Sequence, residues 1–282
     1  MSSLPPPPAK APPPPVKRAG SPPVHSTGAE SAAGSAFSVR SGKIAGAQRV
    51  VLYGPGGIGK SSLARLAPRA IFLDIEEGTR NLDAPRVEGI DSWNSLRACL
   101  QSSALDDYGT IVLDSATRAE EWAIAHTLAT VATEKGDRVK SVEGYGFGKG
   151  YQHVYETFLL LLQDLDAHVR AGRSVVLIAH DCTASVPNPT GEDFIRYEPH
   201  LQAPKSGKAS IRERVFQWAD HVLFLGYDVA VKDGKGRGAG TRTIYPAEMP
   251  THRAKSRTLA DPVVYSGADD GSIWTSIFGG AS

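Results

Sequence analysis

The sequence predicts an α/β fold: a mostly parallel central sheet flanked by helices, with antiparallel edge strands near the C-terminus. Three observations predict it. First, Arg49–Tyr53, Ala70–Asp74, Gly109–Asp114, Ser174–Ala179 and His221–Leu225 are short runs rich in Val, Ile, Leu and Phe. Strands buried on both faces of a parallel sheet have this composition. Second, Lys60–Leu66, Ser92–Ser103, Arg118–Glu134 and Tyr151–Ala171 carry helical patterning. In the last of these Val154, Phe158, Leu161, Leu162, Leu165 and Val169 recur every few residues and line one helix face. Third, the two kinds of segment alternate, as βαβ units require. Thr241–Ile244 and Val263–Ser266 read as the antiparallel additions, and no internal repeat is present.

The first 40 residues differ from the rest. Pro5–Pro8 and Pro12–Pro15 are unbroken proline runs, followed by Gly, Ser and Ala with few large apolar side chains. Such a segment cannot bury enough surface to offset its ordering entropy, so residues 1–41 are expected to be a disordered Pro-rich tail. Residues 42–282 are expected to form one domain. The chain of 282 residues is 41% hydrophobic, enough for a substantial core. No run reaches the roughly 18 apolar residues of a membrane span, and the N-terminus has no signal-like apolar stretch. Cys99 and Cys182 have no ligand-like spacing, and the eight histidines form no metal-binding pair. A cytoplasmic protein without a membrane partner or a structural metal is the expectation. The net charge of +1 is uneven, with Lys10, Lys17, Arg18, Arg40 and Lys43 set against Glu30 alone within residues 1–48. A second basic stretch runs from Lys232 to Arg257.

Gly54-Pro55-Gly56-Gly57-Ile58-Gly59-Lys60-Ser61 fits G-x-x-x-x-G-K-[ST] without a gap, with a strand pattern before it and a helical pattern after it. This is a P-loop in the context that the motif needs. Glycine lets the backbone bend round a phosphate so that successive N–H groups point inward, and the following helix start adds positive potential. Gly54 through Ser62 are the candidate nucleotide-binding residues. Lys60 is expected to reach the β- and γ-phosphates, and Ser61 to take one Mg²⁺ position. The cofactors expected are therefore ATP and Mg²⁺.

Two acidic strand ends complete the pattern. Thr110-Ile111-Val112-Leu113-Asp114 is an apolar strand closed by a carboxylate, and Asp114 is the second candidate for Mg²⁺. Phe72-Leu73-Asp74-Ile75-Glu76-Glu77 ends another strand beside the loop. Glu76 is the candidate base that polarises water, with Glu77 in reserve. Val175-Val176-Leu177-Ile178-Ala179-His180 is a third buried strand ending at a polar residue, which places His180 where it can sense the γ-phosphate.

Taken together, YGPGGIGKSSLA, FLDIEEGT, TIVLDSAT and VVLIAHD resemble the RecA-like P-loop NTPase core in order and spacing. More narrowly they resemble the phage-encoded RecA-like ATPases that include Sak-type single-strand annealing proteins. The resemblance spans Gly42 to Phe278. It implies that Glu76 is the catalytic glutamate and that His180 couples nucleotide state to DNA, where RecA itself usually has glutamine. It also implies two DNA-contacting loops. The first is Glu143–Gly150, where Tyr145 and Phe147 could stack on bases and Lys149 could meet phosphate. The second falls in the poorly periodic stretch 182–214, which offers Arg196, Tyr197, Lys205, Lys208, Arg212 and Arg214, with Arg196, Lys205 and Lys208 as the leading candidates.

The basic stretch holding Arg253, Lys255 and Arg257 is similar to one that phage relatives carry before their last strands, and could act in trans or contact DNA. The implied partners are single-stranded DNA, further copies of the chain in a filament or ring, and a single-strand DNA-binding or other recombination protein docked by the tail. The implied location is the cytoplasm, that of the host if the source is a phage. The chain departs from RecA in its short helix after Lys60, ended by Pro68, and in lacking a basic C-terminal DNA-gathering domain. The expected function is therefore an ATP-dependent role in recombination or strand annealing. A ring-forming helicase or translocase, or a nucleotide-gated protein-binding switch, stands as the alternative.

Overall fold

The computed structural model describes residues 41–42, 46–232 and 235–279. The expectation for the tail falls almost wholly outside them. Strands β1 (Arg49–Tyr53), β2 (Ala70–Asp74), β3 (Thr110–Asp114) and β4 (Ser174–Ala179) match the predicted runs. The outcome is different for Cys182–Arg214, which is not a long loop. It contributes β5 (Asp181–Val186) and β6 (Phe194–Pro199), an antiparallel hairpin, and the first turn of α5 (Ile211–Trp218). Neither hairpin strand is the unbroken apolar run that reveals a strand buried on both faces.

β7 (His221–Lys232) and β8 (Lys235–Tyr245) extend well beyond the predicted segments, and β9 (Val263–Val264) is a two-residue edge. The main sheet has the order β2-β3-β4-β1-β7-β8-β9. Its first five strands are parallel, and β8 and β9 are antiparallel. The α/β architecture expected from the sequence is the one observed.

The sheet has a core on each face, as period-two alternation demands. Val51, Tyr53, Leu73, Leu113 and Leu177 point to one side. There they meet α2 (Trp93–Leu100), α3 (Ala116–Thr130), α4 (Lys149–Arg170) and α5. Val50, Leu52, Phe72, Val112 and Ile178 point to the other, against α1 (Lys60–Ala64) and α6 (Ser272–Phe278). The predicted apolar stripe of α4 is buried through Val154, Phe158, Leu161, Leu162 and Leu165. α1 is shorter than the sequence suggests. It continues past Ala64 only as i→i−3 turns at Leu66 and Ala67, before Pro68.

All five parallel strands run in one direction, so their carboxyl ends share one rim. The P-loop follows β1, Glu76 follows β2, Asp114 ends β3 and His180 follows β4. Ligands of open α/β sheets bind at this rim.

Candidate active site

The loop Gly54–Ser61 begins hard against β7. A Cβ on Gly54 would stand 2.1 Å from the Leu225 carbonyl oxygen, and Gly54 has φ +152°, so only glycine fits there. Among the described residues, the N–H groups of Gly57, Gly59 and Lys60 find no protein acceptor. They form a donor set suited to phosphate oxygens. Pro55, Gly56 and Gly57 line the open side, and Ser62 follows Ser61 in the first turn of α1. Ile58 is fully buried and anchors the loop from beneath.

Lys60 Nζ donates to Gly54 O at 2.6 Å and to Pro55 O at 2.9 Å, which places the ammonium across the loop mouth. Burial holds the ammonium pKa below its usual value, against the pull of Asp114, Asp181 and Glu76. Ser61 Oγ donates to Asp114 Oδ2 at 2.5 Å. Asp114 is itself pushed up to about 6, first by burial and then by the charges of Glu76 and Asp74. A hydroxyl and a crowded carboxylate in contact suit a hard divalent cation, which would relieve that crowding. Ser61 and Asp114 are the residues that would hold Mg²⁺.

Glu76 is fixed from three directions. Its N–H lies 3.3 Å from Asp114 O, which continues the β2–β3 pairing past the strands. Ser115 Oγ donates to Glu76 Oε1. His180 Nε2 lies 3.0 and 3.1 Å from the two carboxylate oxygens. Ser115 also caps α3 by accepting from Arg118 N, and Thr117 Oγ1 accepts from His180 N at 3.1 Å. Asp74 is occupied elsewhere, accepting from Gly78 N and Thr79 N and so shaping the turn that carries Glu76. Glu77, the reserve candidate, sits at φ +56°, pairs with Arg80 in solvent, and lines the same cleft as Glu76 and His180. A cleft of ≈ 500 Å³ opens beyond Glu76 and His180, lined also by Thr117, Arg118, Glu121 and His200.

Sequence reasoning missed Ser115 and Thr117, which lie inside the quoted TIVLDSAT, because their partners are distant in the chain. It also missed Arg242 and Tyr265, which reach the back of the P-loop from β8 and beyond β9.

The outlying candidates are sorted by burial. Tyr145 is buried, and its hydroxyl donates to Val131 O and Thr127 O at the end of α3, so it has no face to offer a base. Phe147 is fully exposed, and Lys149 forms a surface pair with Glu134. Arg196 is held between Glu198 and Glu248 with its side chain 12% exposed, which removes it from contact with DNA. Lys205 and Lys208 are exposed. Arg253 grips Glu213 with both nitrogens and lies over the Phe216 ring, so it cannot be delivered to a neighbouring subunit. Lys255 Nζ stacks on the same ring, 4.9 Å from its centre. Arg257 alone of the three stands mainly in solvent, paired with Asp220 at the opposite rim of the sheet.

A P-loop between helix and sheet, with a serine–aspartate pair beside it and a glutamate poised over the same rim, defines a P-loop ATPase. The family comparison agrees. The AAA domain family model matches residues 46–258, well over half of the chain, which therefore belongs to that family. Among solved structures, the KaiC-like protein of the hyperthermophilic archaeon Pyrococcus horikoshii is similar at 15% identity and TM-score 0.42. That match covers 79% of this chain and 88% of the other. None of the curated proteins compared matches in sequence. Among the described residues, no helix is long and apolar enough to cross a membrane.

Proposed function

We propose that this ATPase works on single-stranded DNA, hydrolysing ATP with Mg²⁺ to promote recombination or strand annealing of the phage type. One observation carries the DNA reading: His180, which faces Glu76, is followed at once by β5, the first strand of the hairpin. That hairpin exposes Ile195 and Tyr197, at 69% and 41%. An aromatic ring on an exposed ribbon is a stacking platform for unpaired bases, and Lys205 and Lys208 stand nearby in sequence to meet phosphate. Tyr197 thus replaces Arg196 and Tyr145 in the proposed contact surface, and Phe147 and Lys149 remain in it.

In the proposed chemistry, Glu76 accepts a proton from water as the water oxygen attacks the γ-phosphorus and the bond to ADP breaks. Ser115 and His180 hold the carboxylate toward that water, and Lys60 and the loop N–H groups stabilise charge on the phosphate oxygens. When bound, Mg²⁺ neutralises phosphate charge. Arg257 is the remaining candidate for action in trans, which would need a homo-oligomer, a filament or ring. The N-terminal proline runs suit docking to a single-strand DNA-binding or other recombination protein in the cytoplasm.

The test is ATP turnover with and without single-stranded DNA, at low and moderate salt, with particle size measured in parallel. Stimulation that fades with salt supports the proposal. Equal turnover with and without DNA at every salt concentration sinks the DNA reading and leaves a nucleotide-gated protein switch. Unwinding of a forked duplex would favour a helicase instead. Lys60→Ala should lose nucleotide binding, measured by equilibrium titration.

A further inference from the structure

We infer that Arg242, with Tyr265 behind it, is a positioning residue of the nucleotide site that turns the P-loop amides toward the phosphates. The inference rests on the nucleotide-binding reading of Gly54–Ser61.

The sheet order sets the frame. Asp114 ends β3, two strands from β1 on one side, and Arg242 lies on β8, two strands from β1 on the other. Ser61 bonded to Asp114, and Glu76 facing His180, fix the end of the loop where the terminal phosphate belongs. A nucleoside triphosphate carries its phosphates at one end only. Its nucleoside must therefore leave the loop toward β7 and β8, the side from which Arg242 approaches.

Arg242 Nη1 donates to Ile58 O at 2.9 Å, and its guanidinium carbon lies 4.7 Å from the centre of the Tyr265 ring. The Tyr265 hydroxyl points at Gly59 O, 3.4 Å away, from a ring only 2% exposed. The pair presses on Gly59: a Cβ there would stand 2.8 Å from Tyr265 Cε1 and 3.1 Å from Arg242 Nη1.

The physical consequence follows from peptide planarity. In a trans peptide the carbonyl and the next N–H point in opposite directions. Drawing the Ile58 carbonyl back toward Arg242 turns the Gly59 N–H forward. The Gly59 carbonyl already accepts from Leu63 N at 2.9 Å as α1 begins, and the Tyr265 hydroxyl adds to that pull, which turns the Lys60 N–H forward in the same way. These two amides are among those without a protein acceptor. The same contacts draw two carbonyl oxygens away from phosphates that they would repel.

The experiment compares the parent with Arg242→Met, Arg242→Lys and Tyr265→Phe. Dissociation constants for ATP and ADP come from fluorescent-nucleotide titration, alongside KM, kcat and the ligand-free melting temperature. We expect Arg242→Met to weaken ATP and ADP binding alike by about tenfold, the scale of one charge-assisted hydrogen bond. KM should rise in step, and kcat should fall by less than about threefold. Arg242→Lys should restore part of the affinity and Tyr265→Phe should lose less than Arg242→Met. Unchanged affinity in Arg242→Met, or a fall in kcat with KM unmoved, overturns the inference. Should Arg242→Met not fold, unchanged affinity in both of the other variants overturns it as well. A parent protein that binds no nucleotide overturns the reading of the loop itself, a result distinct from parent-like binding by the variants.

Discussion

Glu76 has its carboxylate held by Ser115 and His180 and its backbone tied to Asp114. With the proposed general base so fixed, removing its charge should spare binding and cost chemistry. Glu76→Gln should bind ATP with parental affinity and turn over about 10²–10⁴-fold more slowly; equal turnover would refute the base assignment. A second carboxyl makes a pH prediction. Glu120, on α3, accepts from Gln202 N, and burial pushes it up to about 7. Its folded pKa thus exceeds the ordinary value, so the folded state binds the extra proton, and stability falls as pH rises from about 4.5 through about 7. Glu120→Gln should stabilise the fold relative to the parent at pH 8 by on the order of 1–3 kcal/mol, read as a higher melting temperature, and do little at pH 4.5. A gain equal at both pH values would show that charge is not the cause. At this scale the sequence was informative where chemistry is packed into contiguous residues. Gly54–Ser61 and Asp114 were legible because their spacing is itself the signal. Tyr145 was misread because glycine neighbours suggest exposure, whereas its hydroxyl satisfies carbonyls at the end of a helix fourteen or more residues away.

The β5–β6 hairpin is fastened by charge and by the Tyr197 ring, which stacks on Phe224 with 5.3 Å between ring centres. Glu198, at 7% side-chain exposure, accepts from Arg196 and Arg212 and stands 3.7 Å from Arg253. Backbone bonds add to this, with Tyr197 N donating to Thr251 O and Arg253 N to Tyr197 O. The Tyr53 hydroxyl, at the end of β1, donates to the carbonyls of Tyr197 and Arg253. Breaking a buried pair from one side leaves the other charges uncompensated, at a cost of about 3–5 kcal/mol. Glu198→Ala should therefore lower denaturant stability on that scale. A loss below about 1 kcal/mol would mean that the arginines relax to solvent and that the hairpin is held by its backbone alone. The parallel strands and α4 were legible because burial on both faces, or along one helical stripe, imposes a period. The hairpin and β7–β8 extension were not, since neither shows the apolar run of a strand buried on both faces, and the ion network joins residues that no local pattern links.

At the scale of the whole sheet, each rim pairs charges of both signs. The carboxyl rim gathers Glu76, Asp114 and the loop lysine, and Arg257 stands at the amino rim beside Asp220. The proposed DNA contacts are sparse, so affinity should depend on few phosphates. Replacing Lys205 and Lys208 together by Ala should reduce the slope of log affinity against log salt by roughly 1.4, about 0.7 for each single-strand phosphate that is no longer neutralised. An unaltered slope would take both lysines out of the interface. The overall architecture was the most legible level, because alternating segments and the order of four motifs leave few ways to arrange a parallel sheet.

That arrangement also works as a ruler. Glu76, Asp114, His180 and the phosphate loop hang from four consecutive strands, β2, β3, β4 and β1. Neighbouring strands are spaced about 4.8 Å apart by main-chain bonding. The gaps between reacting groups are thus graduated by a repeat that side-chain replacement does not reset. Evolution can lengthen, shorten or restyle the ribbon after His180 while the distances needed to cleave a phosphoanhydride stay calibrated.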